Sequence, residues 1–257
     1  MRPRIIPVLL LKGEGLVKGT RFKDHKYVGD PINAVRIFND KNADELFLLD
    51  ITATQEGRVP SVEMVRRIAE ESYMPFGVGG GIRSVAQMRD LLRAGAEKVA
   101  INSAAVEMPD LIREGSNNFG RQSITVSIDV KRNWRGQDAV WTHSGARKTG
   151  LDVCDWARRA QDLGAGEILL NSIDRDGTGA GYDLPLVRSV ADAVEIPVIA
   201  CGGAGKYEDF LPAVREAHAS AVAAGSLFVF HGPLRAVLIN YPGDGLWDKL
   251  VQQKEMA

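Results

Sequence analysis

The chain has 257 residues, of which 45% are hydrophobic and 25% are charged, and its formal net charge at pH 7 is −1. This balance is typical of a globular protein with a large core, and it favours neither nucleic acid nor an anionic membrane as a partner. The four histidines are scattered, and Cys154 and Cys201 follow no metal-ligand spacing. We therefore expect no metal, no other cofactor, and reduced thiols in a cytoplasmic protein. The N-terminal apolar run is too short for a signal sequence, and no run approaches the roughly 20 residues of a membrane span.

Eight short runs rich in Val, Ile and Leu recur along the chain, separated by stretches of helical period such as "SVAQMRDLLRAGA". Strands that are apolar on both faces and alternate with helices indicate a parallel sheet. We therefore predict one α/β domain over residues 1–257, a (β/α)8 TIM barrel; a doubly wound open sheet is the alternative. The predicted strands are "RIIPVLLL", "ELFLLD", "PFGVGG", "KVAINS", "ITVSIDV", "EILLNS", "PVIACGG" and "AVAAGS".

An internal repeat supports the barrel. A shift of 122 residues aligns segment 30–46 with segment 152–168, so that Asp30 meets Asp152 and the Gly-Gly pair at 80–81 meets the pair at 202–203. Such self-similarity indicates two half-barrels, over about 1–120 and 121–257. The first predicted strand aligns with the fifth at a slightly smaller shift of 119 residues, which aligns Leu10 with Asp129. If both side chains point into the barrel mouth, a pair of carboxylates has been reduced to one acid.

Two Gly-rich turns, "GVGGGIRS" at 77–84 and "ACGGAGK" at 200–206, connect a strand to a helix at repeat-related positions. Glycine lets the backbone approach an oxyanion, and a helix N-terminus supplies free N–H groups. The following units end in "INSAA" and "AAGSL", which add small and polar residues. A single such turn is ordinary turn chemistry, but the matched pair favours a ligand with a phosphate at each end.

Two further segments lie at the same end of the predicted barrel. Asp174 and Asp176 follow the sixth strand, either as site residues or as an ordinary Asp/Gly turn. The basic segment 12–29 is long for a strand–helix connection, so it is either an active-site lid or a solvated loop. The segment after the fifth strand, with Trp134 and Trp141, is expected to fold as a small hairpin.

The motifs "DELFLLDITATQEGR", "SIDVKR", "GAGEILLNSIDRDGTGAGYD" and "PVIACGGAG" resemble those of the cyclase subunit of imidazole glycerol phosphate synthase, in the same order between about residues 4 and 230. The resemblance implies a (β/α)8 barrel that docks a glutaminase on its bottom face. It further implies that ammonia passes through the barrel to the top and reacts there with a ribulosyl aminoimidazole nucleotide that carries two phosphates.

The resemblance also implies roles for residues at the mouth. In the family two aspartates, on strands one and five, serve as general acid and base; the second is Asp129, and Leu10 takes the place of the first. Loss of one proton-transfer group is worth typically ~10²–10⁴ in rate. We also expect Lys18 and Asn171 to act at the mouth, although the family usually has threonine at the latter position. The implied phosphate ligands are Gly81, Asn102 and Ser103 at one cradle, and Asp176, Gly177, Gly203, Gly225 and Ser226 at the other.

At the opposite end of the barrel, charged residues stand at the starts of strands one, two, four and six: Arg4, Glu45, Lys98 and Glu167. Such charges are often only solvated strand ends. The resemblance implies instead a charged ring that gates ammonia, and it implies that Glu97 contacts the glutaminase. All four charged residues of the ring are present, which predicts that the ammonia route is retained. Leu10 in place of an aspartate predicts that the cyclase chemistry is altered.

That combination is similar to a paralogous branch of the family associated with surface-polysaccharide gene sets. The resemblance implies work with a glutaminase and an ATP-dependent N-acetyl-sugar amidotransferase. The main hypothesis is therefore an ammonia-delivering subunit for sugar amidation. One alternative is an active cyclase of histidine biosynthesis. Another is a non-catalytic barrel that activates a glutaminase. The partners expected under these hypotheses are the glutaminase and a phosphorylated small molecule.

Overall fold

Eight parallel strands close into a barrel in the computed structural model, which describes residues 2–232, 234–243 and 245–255. The first strand pairs with the second and with the eighth, and the fifth pairs with the sixth. This closure confirms the predicted (β/α)8 barrel and makes the open-sheet alternative wrong. The barrel strands are Arg4–Lys12, Leu46–Asp50, Phe76–Gly79, Lys98–Ile101, Ile124–Arg132, Glu167–Ser172, Val198–Cys201 and Ala221–Ala224.

Helices surround the barrel, and polar side chains at their first residues define where several begin. The repeat-related Asp30 and Asp152 both cap a helix, accepting hydrogen bonds from the backbone N–H groups of Asn33 at 2.8 Å and Asp155 at 3.0 Å. The α-helices are Pro31–Asp40, Ala53–Glu56, Val62–Glu71, Val85–Arg93, Ser103–Glu107, Asp110–Phe119, Val153–Asp162, Leu184–Ala191, Phe210–Arg215, Ser226–Val229 and Leu246–Glu255, and short 3₁₀ turns cover Arg121–Ser123 and Tyr207–Asp209. No helix among the described residues has the length and apolar character needed to cross a bilayer.

Two antiparallel hairpins rise from the top of the barrel. The segment predicted as a long loop is a hairpin of Gly15–Thr20 and Lys23–Gly29, which continues the first barrel strand. The expected hairpin after the fifth strand is present, with Asp138–Thr142 and Arg147–Lys148. A third, small hairpin of Phe230–His231 and Ala236–Val237 follows the eighth strand.

The apolar residues form two separate groups because strand side chains alternate between the two faces of the sheet. Outward-facing residues such as Ile5, Leu48 and Ile168 pack against the helices in a large core. Inward-facing residues such as Ile6, Phe47 and Leu169 fill the barrel interior as a second cluster. The interior is therefore a packed apolar layer between the two ends of the barrel.

Candidate active site

One cavity of about 380 Å³ opens at the C-terminal ends of the barrel strands. Active sites in these barrels lie at this end, because the loops after the strands meet there. Asp174 does not line this cavity, and its carboxylate instead accepts from the backbone N–H of Arg132 at 2.8 Å. The fold brings the other residues predicted for the mouth to the cavity. They are Leu10, Lys18, Gly81, Asn102, Ser103, Asp129, Asn171, Asp176, Gly177, Gly203, Gly225 and Ser226.

Asp129 is a buried carboxyl group with two amide neighbours. Asn102 Nδ2 donates to its Oδ2 at 3.0 Å, and the Asn171 side chain also donates to it. Burial raises the pKa of Asp129 to about 7, the nearby Asp176 carboxylate acts in the same direction, and the hydrogen bonds from the two amides oppose the shift. The group is therefore close to half-protonated at neutral pH, which suits proton transfer in either direction.

Leu10 occupies the corresponding position in the other half of the barrel. It lies beside Leu49 in the register of strands one and two, whereas Asp129 lies beside Asn171 in that of strands five and six. Both leucines line the cavity and pack against the apolar barrel interior. One half of the mouth therefore carries an acid and an amide, and the other half carries two hydrocarbon side chains.

The two Gly-rich turns lie on opposite sides of the cavity. Gly81 has φ +65° and Gly203 has φ +119°, a region that favours glycine. A Cβ atom at Gly81 would overlap the carbonyl oxygen of Arg58, and one at Gly203 would overlap that of Gly181. Both turns therefore require glycine for their backbone to reach the cavity, as an anion cradle needs.

Hydroxyl and backbone groups hold the turn at Gly81 and its neighbours in place. The Gly81 N–H donates to Thr54 Oγ1 at 3.2 Å, and Ser103 Oγ accepts from the backbone N–H of His143 at 2.9 Å. Ser144 Oγ donates to the carbonyl of Ile51 at 3.0 Å. The hairpin after strand five therefore reaches across the mouth to the ends of strands two and four.

Lys18 lies in the first strand of the hairpin, Gly15–Thr20, and its buried ammonium group donates to the carbonyl of Val8. Burial lowers its pKa to about 8, although the Asp176 carboxylate partly opposes this shift. Asp176 also accepts from the backbone N–H of Phe22, and the N–H of Arg21 donates to the Asp176 carbonyl at 2.9 Å. The segment predicted as a lid or solvated loop thus lies across the mouth as an ordered hairpin, docked on the loop after strand six.

Cys201 lines the same cavity at the end of strand seven. Burial raises the pKa of its thiol to about 12, and the carboxylate of Asp176 adds to the effect. The side chain is therefore a neutral thiol near pH 7 and a poor nucleophile.

The four charged residues predicted at the other end form a closed ring. Lys98 Nζ lies 2.7 Å from Glu45 Oε1 and 2.9 Å from Glu167 Oε1, and Arg4 completes the ring by pairing with both glutamates. The glutamate side chains are only 2% and 6% exposed, so each buried charge has two opposite charges beside it. Burial alone would raise the pKa of Glu167, but the charges of Lys98 and Arg4 outweigh it and lower that pKa. Glu97 is exposed next to Lys98.

Comparison with known proteins agrees with this arrangement. A family model described as "Histidine biosynthesis protein" matches residues 4–234. The imidazole glycerol phosphate synthase subunit HisF of Caulobacter vibrioides is 50% identical over 231 residues, which cover 90% of this chain and 89% of that protein. The subunit of the same name from Alkaliphilus metalliredigens is 48% identical, with 89% of this chain and 90% of that protein covered.

The chain belongs to the HisF family. A Pseudomonas aeruginosa protein with the provisional name imidazole glycerol phosphate synthase subunit hisF2 is also similar, at 49% identity over 94% of this chain and 96% of that protein. The resemblance to the cyclase subunit is therefore confirmed, whereas membership of the polysaccharide-associated branch stays a prediction.

Sequence reasoning about this HisF-family chain missed several residues of the cavity. Thr54 supports Gly81, and Asp50 accepts from the backbone N–H groups of Thr52 and Ala53 at 3.1 Å while it pairs with Arg58. The position of Asp50 and Thr54 could have predicted their place in the site, because they lie at the end of strand two and just after it, at the same end of the barrel as the other site residues. No sequence pattern predicts the hydrogen bond from Ser144 to Ile51, since it depends on how the second hairpin folds across the mouth.

Proposed function

We propose that this chain is the ammonia-using cyclase subunit of an imidazole glycerol phosphate synthase and that it works with a single proton-transfer carboxyl group. The observation that carries the proposal is the position of Asp129, between two glycine cradles in one cavity and at the opposite end of the barrel from a closed charged ring. The names of relatives near 50% identity support the same reaction.

The mouth suits a long ligand with an anion at each end. Gly81, Asn102 and Ser103 would hold one phosphate. The loop containing Asp176 and Gly177 would hold the other, together with three residues that follow strands seven and eight: Gly203, Gly225 and Ser226. Lys18 adds a positive charge on the side of the second cradle, where it is close to Gly225.

Asp129 would serve as both acid and base in successive steps, because its carboxyl group holds and releases a proton near pH 7. Leu10 cannot transfer a proton, so the rate is expected to fall below that of a two-carboxyl site by a factor within ~10²–10⁴. Asn171 and Asn102 would keep the carboxyl group oriented toward the ligand.

Ammonia would enter at the ring of Arg4, Glu45, Lys98 and Glu167, supplied by a glutaminase docked on that end next to Glu97. A closed ring of paired charges can restrain free passage, and opening one pair would leave a gap at the base of the apolar interior. The cytoplasm is the compartment we propose for this complex, since both cysteines are free thiols.

The test is turnover of the ribulosyl aminoimidazole substrate by the purified chain with an ammonium salt, which needs no glutaminase. We expect slow but measurable formation of imidazole glycerol phosphate that disappears in Asp129→Asn. Absence of turnover at saturating substrate and ammonium would refute cyclase activity.

A second candidate function is delivery of ammonia to an N-acetyl-sugar amidotransferase in polysaccharide biosynthesis. The replacement of an acid by Leu10 favours it, because an ammonia conduit needs no proton transfer at the mouth. Its test is reconstitution with the glutaminase and the amidotransferase: glutamine should support sugar amidation only when this chain is present. If this chain stimulates glutamine hydrolysis but supports neither product, the barrel is an activator of the glutaminase.

A further inference from the structure

The fifth barrel strand differs from its neighbours on the face that lines the barrel interior. Between the charged ring and the mouth, the other strands contribute apolar side chains to this face, including Ile6, Phe47, Leu169 and Ile199. Strand five contributes Thr125 and Ser127 below Asp129. Because side chains alternate along a strand, Thr125, Ser127 and Asp129 point to the same side and form a row along the interior face of strand five.

The lower end of this row contacts the charged ring. Thr125 is fully buried, and its Oγ1 donates to Glu167 Oε1 at 2.9 Å. The middle residue, Ser127, is half-buried and lines the floor of the cavity together with Leu169. The row therefore runs from the ring, through the apolar interior, to the carboxyl group at the mouth.

The upper end of the row has unused hydrogen-bond acceptors. Asn102 and Asn171 both donate to Asp129, and the Oδ1 atom of each is buried without a hydrogen-bond partner among the described residues. A buried acceptor without a donor is destabilising, because it has lost its hydrogen bonds to water without replacement. A small molecule with several N–H donors would satisfy these oxygens.

On the basis of the proposed function, we infer that Thr125 and Ser127 form a hydroxyl path that guides ammonia from the charged ring to a binding position beside Asp129, Asn102 and Asn171. Residues two apart on one face of a strand are separated by about 6.7 Å, which is roughly twice the length of a hydrogen bond. An ammonia molecule between two successive side-chain oxygens of the row is therefore within hydrogen-bonding reach of both. The hydrocarbon side chains opposite the row offer no competing partner, so the route follows strand five.

Neutral ammonia suits this path better than the ammonium ion does. A hydroxyl group offers one donor and two acceptor positions, so it can exchange hydrogen bonds with a passing ammonia molecule. The ammonium ion would have to lose its hydration shell among the apolar side chains of the interior, which costs much more than desolvation of the neutral molecule.

Ser127→Ala tests the path in the ammonium-dependent reaction of the full chain. We expect the KM for ammonia to rise about fivefold, the effect of one lost hydrogen bond of ordinary strength, with kcat and the KM for the phosphorylated substrate unchanged. Ser127→Thr should retain the low KM, and Ser123→Ala, just before the strand, is the matched control. An unchanged KM for ammonia in an active Ser127→Ala protein would overturn the path and leave the proposed function standing.

A crystal structure tests the same inference without activity. Water is the nearest substitute for ammonia in size and hydrogen bonding, so the unmodified protein should hold ordered solvent between Ser127 Oγ and the Asp129 carboxyl group. Ser127→Ala should lose it. Absence of ordered solvent at this position in a high-resolution structure would overturn the inference. This outcome does not depend on whether the chain has cyclase activity.

Discussion

Asn171 lies beside Asp129 in the register of the fifth and sixth barrel strands, and its amide donates to the buried carboxyl group. Leu10 and Leu49 stand in the same relationship in the first and second strands. The internal repeat relates the two pairs, so equivalent positions at one mouth are polar in one half and apolar in the other.

Leu10→Asp is expected to raise cyclase turnover by about tenfold or more, because a second proton-transfer group contributes typically ~10²–10⁴. The gain should fall short of the full factor, since the new carboxylate would stand next to Leu49 and lose apolar contacts. The measurement is kcat with an ammonium salt. Leu10→Asn, which is polar and transfers no proton, is the matched control; equal rates for the two variants would contradict the prediction.

Asp129→Asn is expected to abolish turnover but stabilise the fold at alkaline pH. Between the ordinary value of 3.8 and about 7 the folded protein keeps a proton that the unfolded chain releases. The unfolding free energy therefore falls as pH rises through this window. The variant should exceed the unmodified protein in stability by about 2–4 kcal/mol above neutral pH, and the difference should vanish below the ordinary value. Urea denaturation across this range measures it, and a constant difference at every pH would contradict it.

Lys98→Ala is expected to cost about 3 kcal/mol of unfolding free energy, because it leaves Glu45 and Glu167 buried next to each other with one cation fewer. Arg36→Ala, which breaks an exposed pair with Glu71, should destabilise the fold far less than Lys98→Ala does and serves as the control. With the glutaminase present, Lys98→Ala should also produce less product per glutamine hydrolysed. Unchanged coupling would count against the ring as a gate.

Gly203→Ala is expected to weaken binding of inorganic phosphate by about tenfold, because the added Cβ would push against the Gly181 carbonyl and move the cradle away from the anion. Calorimetric titration with phosphate measures the change. Gly243→Ala is the control, since a Cβ there meets nothing within 4 Å and its φ is not positive. Equal affinities would indicate that this turn has only a structural role.

Phosphate binding should also weaken as pH rises through about 8, where Lys18 loses its charge. Lys18→Met should bind phosphate more weakly near neutral pH and show no such transition. The same titration series at several pH values distinguishes these outcomes. A transition that persists in Lys18→Met would assign it to another group.

Much of this molecule could be predicted from local patterns. The eight apolar runs correspond to the eight barrel strands, because strands buried on both faces must be apolar along their length. Likewise, residues at the starts of strands were predicted to meet at one end of the barrel, and residues at the ends of strands were predicted to meet at the other. The hairpin at 15–29 could not be predicted in this way, since its polar and basic composition is also that of a solvated loop.

The barrel, the internal repeat and the two Gly-rich turns could be read from patterns along the chain, and the repeat also aligned Leu10 with Asp129. The folded arrangement was needed to show that four distant charges close into a ring, that Lys18 is buried, and that burial raises the pKa of Asp129 to about 7. Desolvation and charge pairing depend on which groups surround a side chain in space, and those groups come from segments far apart in the chain.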